Sequence, residues 1–360
     1  MKRLVTILSL AIMAGFFTEL AARIGVTISL GWSAVSTKLM RHPEELWFSY
    51  YPELRRILAA PGEAAPRVLL VGASVIAGGR GYGSVVDRLR EEGRRAGVEI
   101  SIANAGVPAH TSVDALFKYR LLGERRFDLV IWSEGFNEVR ANNCPDGDFR
   151  SDYSHYSWYR RLRVLERHPE LKFIALPYVV DSLVEEARHL LSGHRDLPRH
   201  APVAEYHRYG EKVKTTLSLE KNLEAFLGVA RQRGEAVVVV TQPFFIPPDY
   251  SLERFQGRAL DYNSHVLPVE LWGSVEGVRA GAEAHNEAIR RVAARARERG
   301  QDVKLIDLAT LLTGGRKYFN DVCHLTDEGS RVFARQILNA WERARLARER
   351  SSPVQKAPHS

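Results

Sequence analysis

Cysteine is scarce in this chain of 360 residues, in which Cys144 and Cys323 are the only two. So few cysteines exclude a disulfide-rich scaffold and a zinc module built on cysteine. Three histidines, His194, His200 and His207, share one polar stretch, but their spacing matches no usual set of metal ligands. We therefore expect no metal and no cofactor.

A nucleic-acid-binding motif is also lacking, although the chain is basic, with a formal net charge of +8 and a pI near 9.5. The arginines are spread over many predicted helices instead of forming one stripe. A basic surface of this kind suits attraction to anionic lipid or to an acidic polysaccharide. We therefore expect no nucleic-acid partner.

No uncharged apolar run at the N-terminus reaches the roughly 20 residues that a membrane-spanning helix needs. Residues 1–40 still have the features of a targeting segment, because a basic start precedes the uncharged run from Leu4 to Phe17. Including Glu19 and Arg23, which are spaced to pair on one helix face, gives a longer anchor. We therefore predict an uncleaved membrane anchor with the main domain extracytoplasmic. A secreted protein with a cleaved signal, and a cytoplasmic protein with a buried N-terminal helix, are the alternatives.

Apolar runs and helical patterns alternate through most of the chain. Hydrophobic residues make up 45% and charged residues 26%, which is typical of a globular protein with a large core. Runs such as the one from Ala236 to Thr241 are continuously apolar, which predicts buried parallel strands. The strands are expected at residues 67–73, 98–103, 127–133, 236–241 and 303–308, and helices at about 82–96, 112–122, 219–233, 278–299 and 327–347.

This alternation defines one main domain at residues 67–347. A juxtamembrane linker over residues 41–66, rich in aromatics and then in Ala and Pro, precedes it. Two long insertions, at about 140–215 and 242–277, interrupt the domain on the side where the strands end, and loops of such length are usually functional. Residues 348–360 are predicted to be a disordered tail.

The first insertion is expected to contain a short strand at 171–176 and a helix at 181–191. It also contains an aromatic cluster that either stacks against a sugar ring or packs the insertion onto its host. The cluster consists of Tyr153, Tyr156, Trp158 and Tyr159.

The most informative motif is Asp321-x-x-His324, just before the last predicted helix. A carboxylate three residues before an imidazole can hold the ring by its Nδ1 proton and leave Nε2 as a general base. The matching nucleophile is Ser74, after Gly72 and Ala73 at the end of the first predicted strand, where open α/β sheets place ligands. Taken singly, the serine is also typical of a helix N-cap, and the Asp-x-x-His pair is also typical of an ordinary loop. Their order along the predicted strands favours a catalytic site.

Two loops after the next predicted strands supply candidate hydrogen-bond donors. Gly106 follows the second strand, and Asn137 follows the third. A serine nucleophile needs donors for the oxyanion of its tetrahedral intermediate. Glycine allows close approach of a backbone N–H, and a side-chain amide can add another donor. Gly106 and Asn137 suit those roles.

Together, Ser74, Gly106, Asn137 and the Asp321/His324 pair resemble, in this order, the blocks of the SGNH (GDSL-type) hydrolase superfamily. The resemblance covers most of the main domain. It implies a flavodoxin-like, three-layer α/β/α sandwich around a parallel five-stranded sheet. It also implies a Ser74-His324-Asp321 triad, with an oxyanion hole formed by the N–H groups of Ser74 and Gly106 and by the Asn137 amide.

Two positions depart from the family's usual blocks, which have Asp at both. Ala73 precedes the serine, and Glu138 follows the amide. Neither position carries a proton in the mechanism that the family uses, so the implied chemistry is retained, but no well-studied subfamily is indicated. Leu325, Thr326 and Gly329 match the family's last block.

The resemblance implies an esterase in which His324 deprotonates Ser74 and water later releases the acid. With an extracytoplasmic location, O-acetyl esters on a cell-surface or exported polysaccharide are the expected substrate, and simple lipid esters rank next. The open alternatives are an O-acyltransferase with the same site, a glycan-binding accessory protein without catalysis, and a membrane-bound assembly factor. The sequence does not identify substrate-binding residues.

The two cysteines lie in or next to the loops that this resemblance assigns to the active site. Cys144 follows the Asn137 loop, and Cys323 lies inside the catalytic loop. If the domain is exported and has the family fold, both loops border one cleft, so a Cys144–Cys323 disulfide would hold them together.

Overall fold

The computed structural model describes residues 2–29, 43–60, 67–79, 83–193 and 196–351. The chain divides into two compact units. The first unit comprises Met1–Arg56 and Asp152–Leu197, and the second comprises Ile57–Ser151 and Pro198–Ser360. The second unit contains the sheet and every predicted site residue.

The described elements alternate much as the sequence predicts. The strands are β1 (Arg67–Gly72), β2 (Ser101–Asn104), β3 (Leu129–Ser133), β4 (Ala236–Val240) and β5 (Val303–Ile306). The helices are α1 (Lys2–Ser29), α2 (Trp47–Tyr50), α3 (Glu53–Ala59), α4 (Ser74–Ala77), α5 (Val85–Arg95), α6 (Ser112–Leu121), α7 (Ser157–Glu166), α8 (Leu176–Ser192), α9 (Thr216–Arg233), α10 (Leu252–Gln256), α11 (Val275–Glu298), α12 (Leu308–Leu311) and α13 (Asp327–Ser351). Short 3₁₀ helices lie at Pro43–Leu46, Asn137–Asn142, Pro169–Lys172, Ala204–Glu211 and Val269–Leu271.

The five strands form one parallel sheet in the order β2-β1-β3-β4-β5. The central strands are apolar on both faces because both faces are covered by helices. In β1, for example, Val68 and Leu70 face one side, Leu69 and Val71 face the other, and all four are fully buried. The predicted five-stranded parallel sheet is confirmed.

Helices cover the two faces of this sheet in two groups. On one face, α5 and α13 pack together, and Leu89 and Phe333 join the core cluster that contains Val68 and Leu70. The other group consists of α6, α9 and α11, in which Tyr119 and Phe226 stack with ring centroids 4.3 Å apart. The predicted three-layer α/β/α sandwich is therefore confirmed for the second unit.

Several elements differ by a few residues from their predicted bounds, and two of these differences matter most. β2 starts at Ser101 rather than at 98, because the N–H of Val98 bonds the Gly93 carbonyl and the chain is still leaving α5 there. The last helix continues past the predicted end at 347 to Ser351, so residues 348–351 are helical instead of disordered. The rest of the predicted tail, 352–360, lies outside the described residues.

The strand predicted at 171–176 is wrong. This segment contains the end of the 3₁₀ helix at Pro169–Lys172 and the first residue of α8. Leu171 and Ala175 are buried, whereas Phe173 between them is 82% exposed. Burial four residues apart is the spacing of a helical turn, which a short apolar run cannot distinguish from a strand. The helix predicted at 181–191 is confirmed within the longer α8.

In the first unit, the predicted pair on α1 forms, with Arg23 Nε 2.7 Å from Glu19 Oε1. The Glu19 carboxylate also accepts the N–H groups of Ala175 and Leu176 at the start of α8. Among the helices that the structure describes, none is both long enough and apolar enough to cross a membrane. The predicted membrane anchor is thus not supported.

The aromatic cluster of the first insertion packs inside the first unit. Tyr153, Tyr156 and Tyr159 are at most 5% exposed, so their faces are not open to a sugar ring. Linker residue Tyr50 meets Trp158 edge-on, with ring centroids 5.0 Å apart. The burial of these three rings does not support the sugar-platform alternative, and the ring contacts lie within the first unit. Residues 41–42 and 61–66 of the predicted linker lie outside the described residues.

Candidate active site

Ser74 lies at the carboxyl end of β1, where the chain turns directly into α4. The turn needs glycine at position 72, because a Cβ there would lie 2.5 Å from Ile76 Cγ1 and 2.7 Å from the Ser133 carbonyl oxygen. The Asn104 amide at the end of β2 donates to the Ile76 carbonyl at 3.2 Å. The neighbouring strands therefore fix the backbone that carries the serine.

The structure brings the three predicted triad residues together. Ser74 Oγ lies 2.9 Å from His324 Nε2, and His324 Nδ1 lies 2.8 and 2.9 Å from the two carboxylate oxygens of Asp321. Both His324 and Asp321 are buried. This geometry suits a tautomer in which Nδ1–H donates to Asp321 and Nε2 accepts from the serine hydroxyl. The arrangement can therefore activate Ser74 by general-base catalysis.

Backbone donors hold the Asp321 carboxylate in place. Oδ1 accepts the N–H groups of Cys323 at 3.2 Å and His324 at 3.0 Å. Oδ2 accepts the N–H of Leu267 at 3.1 Å. Because Leu267 belongs to the second predicted insertion, that insertion directly supports the acid of the triad.

Asn137 is fixed at both ends of its amide. Its Nδ2 donates to the His110 carbonyl at 2.9 Å, and its Oδ1 accepts from Trp272 Nε1–H at 3.0 Å. An indole N–H can only donate, so Trp272 identifies the amide oxygen and sets the direction of the NH₂ group. One of the two Nδ2 protons is used by His110, which leaves the other for a ligand.

Gly106 lies close behind the nucleophile turn, where a Cβ would be 2.6 Å from the Ala77 nitrogen. Its own N–H donates to Asn104 Oδ1 at 2.8 Å. The close approach explains why glycine is required there. Its role as an oxyanion donor stays a prediction, and that role requires this N–H to turn from Asn104 to the ligand.

The departures at Ala73 and Glu138 lie outside the hydrogen-bonded triad. Ala73 is the N-cap of α4 and makes no side-chain cap bond. Glu138 is fully buried and accepts the N–H of Ser112 at the start of α6. Burial raises the pKa of Glu138 to about 7, against the opposing effect of its Ser112 bonds. Glu138 thus links the Asn137 loop to α6 rather than acting on Ser74.

A cavity of about 370 Å³ opens over the triad. The sequence pointed to Ser74, Asn137 and His324 but missed the remaining lining residues. For several of these lining residues, the sequence gave only one indication of a role in the site. They lie in the predicted insertions or just after the second predicted strand. The lining residues are Ser74, Gly78, Pro108, Ala109, Asn137, Arg140, His200, Leu267, Leu271, Trp272 and His324.

The triad loop also contains a group of residues that could hold a metal ion. Asp321, Cys323 and His324 each offer one ligand atom, and these atoms lie within 4.8 Å of one another. His324 Nδ1 is already bonded to Asp321, so a metal bound there would have to replace the bond that orients the imidazole. The same atoms therefore serve either the triad or a metal.

The two cysteines are free and buried, so the structure does not contain the Cys144–Cys323 disulfide that the sequence left open. Burial raises the pKa of the Cys144 thiol to about 11 and that of Cys323 well above its usual value. Cys323 Sγ lies 3.8 Å from His324 Nδ1, on the side of the ring that Asp321 occupies. Neither thiol has the pairing with His324 Nε2 that Ser74 has.

Comparisons with known proteins gave matches only among solved structures. No family model and no curated protein matches the sequence. A lipase/acylhydrolase from Enterococcus faecalis is 15% identical with a TM-score of 0.40, over 77% of this chain and 96% of that one. A GDSL-like lipase from Bacteroides thetaiotaomicron is 14% identical with a TM-score of 0.43, over 82% and 98%. An acetyl xylan esterase from Geobacillus stearothermophilus is 13% identical with a TM-score of 0.41, over 77% and 94%.

The triad predicts that Ser74 reacts with a fluorophosphonate, which modifies base-activated serines. We expect one labelled peptide, containing Ser74, in the full chain. His324→Ala should slow labelling about a hundredfold or more, because the general base is lost. Labelling is followed by mass spectrometry over time.

Ser133→Ala is the matched control, because Ser133 also lies at a strand end but is buried and accepts a bond from Gln242. This variant should label at the wild-type rate. Equal labelling rates in the wild type and in His324→Ala would contradict the triad.

The buried Glu138 predicts a specific pH dependence of stability. The unfolded carboxyl titrates near 4.5 and the folded one near 7, so between these values the unfolded state releases its proton first. The free energy of unfolding should therefore fall as pH rises across this window, by roughly 3 kcal/mol from this one group. Glu138→Gln keeps an acceptor for Ser112 and should remove this contribution. Urea unfolding at several pH values measures the difference, with the exposed Glu99→Gln as control. Identical pH profiles for Glu138→Gln and the wild type would contradict the neutral, buried carboxyl.

Proposed function

We propose that the protein is a serine esterase that hydrolyses short-chain carboxylic esters, with O-acetyl groups on a glycan as its preferred substrate. The observation that carries this proposal is the continuous hydrogen-bonded chain from Ser74 through His324 to Asp321. In this mechanism His324 takes the Ser74 proton as the hydroxyl attacks the ester carbonyl. The protonated imidazole then gives that proton to the leaving alcohol.

Deacylation follows the same route with water as the nucleophile. His324 removes a proton from the water, which attacks the carbonyl of the acyl-enzyme, and Ser74 leaves with the proton returned. Asp321 keeps its two contacts with Nδ1 and stabilises the imidazolium in both steps. The products are the free acid and the free alcohol, and no redox partner is needed.

The oxyanion of each tetrahedral intermediate needs donors that are already oriented. The Asn137 amide has one N–H left after its bond to His110, and the Ser74 N–H lies at the start of α4. Donors fixed before the reaction stabilise the developing charge without a cost of reorientation. We assign the main role to these two groups, with the Gly106 N–H as a third donor if it leaves Asn104.

The size of the cavity supports a short acyl group. Its volume of about 370 Å³ lies near the lower end of the range for small-molecule sites. Apolar walls from the half-buried Leu271 and the buried Trp272 leave room for an acetyl group and part of the alcohol. The choice of a glycan as the alcohol part of the ester rests on the sequence. The sequence predicts an extracytoplasmic protein that acts on cell-surface or exported polysaccharide.

The test is hydrolysis of 4-nitrophenyl acetate and 4-nitrophenyl octanoate by the full chain, beside release of acetate from acetylated oligosaccharides. We expect the acetyl ester to be the better substrate, and Ser74→Ala to reduce kcat by about 10³-fold or more. A folded protein that hydrolyses no ester, or a Ser74→Ala variant with the wild-type rate, would contradict the proposal. Acetyl transfer to a sugar hydroxyl that outruns hydrolysis would instead assign the site to a transferase.

The Trp272–Asn137 bond predicts a second, more selective effect. Trp272→Phe keeps an aromatic, though smaller, ring and removes the N–H that holds Asn137 Oδ1. We expect kcat for the acetyl ester to fall about tenfold with little change in KM, because an oxyanion donor loses its orientation. Steady-state kinetics measure this, with Trp158→Phe in the first unit as control. A rise in KM at constant kcat would show that Trp272 acts only as a wall of the cavity.

A further inference from the structure

The loop after β3, residues 134–142, carries the oxyanion candidate Asn137 and is tied to α11 at its start. Gly135 has a φ of 130°, a conformation that favours glycine, so the chain turns tightly there. Its carbonyl accepts from His285 Nδ1 at 2.7 Å, and His285 is fully buried within α11. The backbone two residues before Asn137 is therefore fixed by a side chain from the helix layer.

The far end of this loop is tied to the residues just before α9. Asn142 Oδ1 accepts the N–H groups of Lys214 at 2.8 Å and of Thr215 at 3.1 Å. Thr215 is fully buried, and its Oγ1 lies 2.7 Å from His285 Nε2 and 3.0 Å from Asn142 Oδ1. His285 and Thr215 thus form a continuous link between the two ends of the loop.

The protons in this link follow from the chemistry of its groups. A carbonyl only accepts, so His285 Nδ1 carries a hydrogen for Gly135. Burial lowers the pKa of His285 to about 4, against the opposing effect of the Gly135 bond, so the imidazole is neutral near pH 7. Nε2 is then an acceptor, and Thr215 donates its single hydroxyl proton to it. The two backbone N–H groups are left to satisfy Asn142 Oδ1.

The Asn137 amide depends on the placement of its backbone as well as on its own bonds. The His110 carbonyl and the Trp272 indole hold the amide at 2.9 and 3.0 Å. Both bonds keep their geometry only while the Asn137 backbone stays in place. A displacement of about 1 Å at a catalytic group can cost about a hundredfold in rate. A link that fixes both ends of the loop therefore bears directly on catalysis.

We propose that His285 and Thr215 are positioning residues of the active site, which hold the loop so that the Asn137 amide meets the oxyanion. Neither is among the described residues that line the catalytic cavity, so both act through the loop and not on the substrate. This inference rests on the proposed function for the oxyanion, whereas the protonation of the link is tested separately by NMR.

The first test replaces the Thr215 hydroxyl in the full chain. Thr215→Val keeps the shape of the side chain but leaves His285 Nε2 without its donor, whereas Thr215→Ser keeps the hydroxyl. For 4-nitrophenyl acetate, we expect Thr215→Val to lower kcat about tenfold and to change KM less than about twofold. Thr215→Ser should stay within about twofold of the wild-type kcat. A rise in KM at constant kcat, or equal losses of kcat in both variants, would overturn the proposal.

Thr241→Val is the matched control for a simple loss of stability. Thr241 is also fully buried in the second unit, but its hydroxyl donates to Asp307 at 2.9 Å. Thermal unfolding should show that Thr241→Val and Thr215→Val are both less stable than the wild type, because each loses a buried hydrogen bond. With rates measured well below each unfolding temperature, only Thr215→Val should lower kcat. An equal fall of kcat in Thr241→Val would show that kcat follows stability, against a positioning role.

A double-mutant cycle with Asn137→Ala tests whether the effect passes through the amide. If the link acts by positioning Asn137, Thr215→Val should cost no further kcat once the amide is absent. The full loss repeated in the Asn137→Ala background would overturn the proposal, because Thr215 would then act elsewhere. The same cycle is run with the rate at which a fluorophosphonate labels Ser74, since its phosphoryl oxygen also meets the oxyanion donors. The labelling cycle supports or overturns the link even if no ester is hydrolysed and the proposed function fails.

NMR of the full chain, with nitrogen-15 in its histidine rings, tests the link without any reaction. Long-range couplings between ring protons and ring nitrogens distinguish the two neutral tautomers from the imidazolium, and His285→Asn identifies the signal. We expect a neutral His285 ring with its proton on Nδ1 near pH 7, and a shifted Nε2 resonance in Thr215→Val. A proton on Nε2, or a charged ring, would overturn the link even if ester hydrolysis is confirmed.

Discussion

The hydrogen bond between Ser74 Oγ and His324 Nε2 joins two residues that are 250 positions apart in the sequence. The backbone next to each of these two residues is held by contacts that tolerate few substitutions. At one end, only glycine fits at position 72 in the turn from β1 into α4. At the other, three backbone N–H groups and the imidazole converge on the Asp321 carboxylate. The parallel sheet serves this bond by bringing the carboxyl ends of its strands to one edge.

The second insertion, at about 242–277, contributes contacts directly to the catalytic site. Leu267 binds the triad acid, Trp272 orients the Asn137 amide, and the Leu271 carbonyl fixes Arg140. These residues lie within the six positions 267–272, around the 3₁₀ helix Val269–Leu271, so one piece of chain sets the acid, the oxyanion donor and the cavity wall. A change in this segment is therefore expected to alter rate and substrate preference together. The long loop therefore has a structural role at a site whose triad residues lie outside it.

Much of the fold and the triad could be predicted from sequence because both leave short-range signals. Apolar runs such as β4 predict buried parallel strands, and Asp321-x-x-His324 is a local pattern. The strand predicted at 171–176 failed because a short apolar run also fits a helical turn, as the exposed Phe173 shows. Arg140 and His200 gave no signal of their place in the cavity wall, because that place depends on how distant segments of the chain pack beside the sheet. Whether Cys144 and Cys323 are bonded could not be decided from the sequence, because a sequence does not contain the distance between two loops.

The most direct test of this account is to trap the acyl-enzyme. The full chain is mixed with an activated acetyl ester, quenched with acid within milliseconds to seconds, digested and examined by mass spectrometry. The account predicts one transient acetyl group on the Ser74 peptide, which forms faster than it is lost and is absent from His324→Ala. Acetylation of another residue such as Cys323, or ester hydrolysis without any acetylated Ser74, would contradict it.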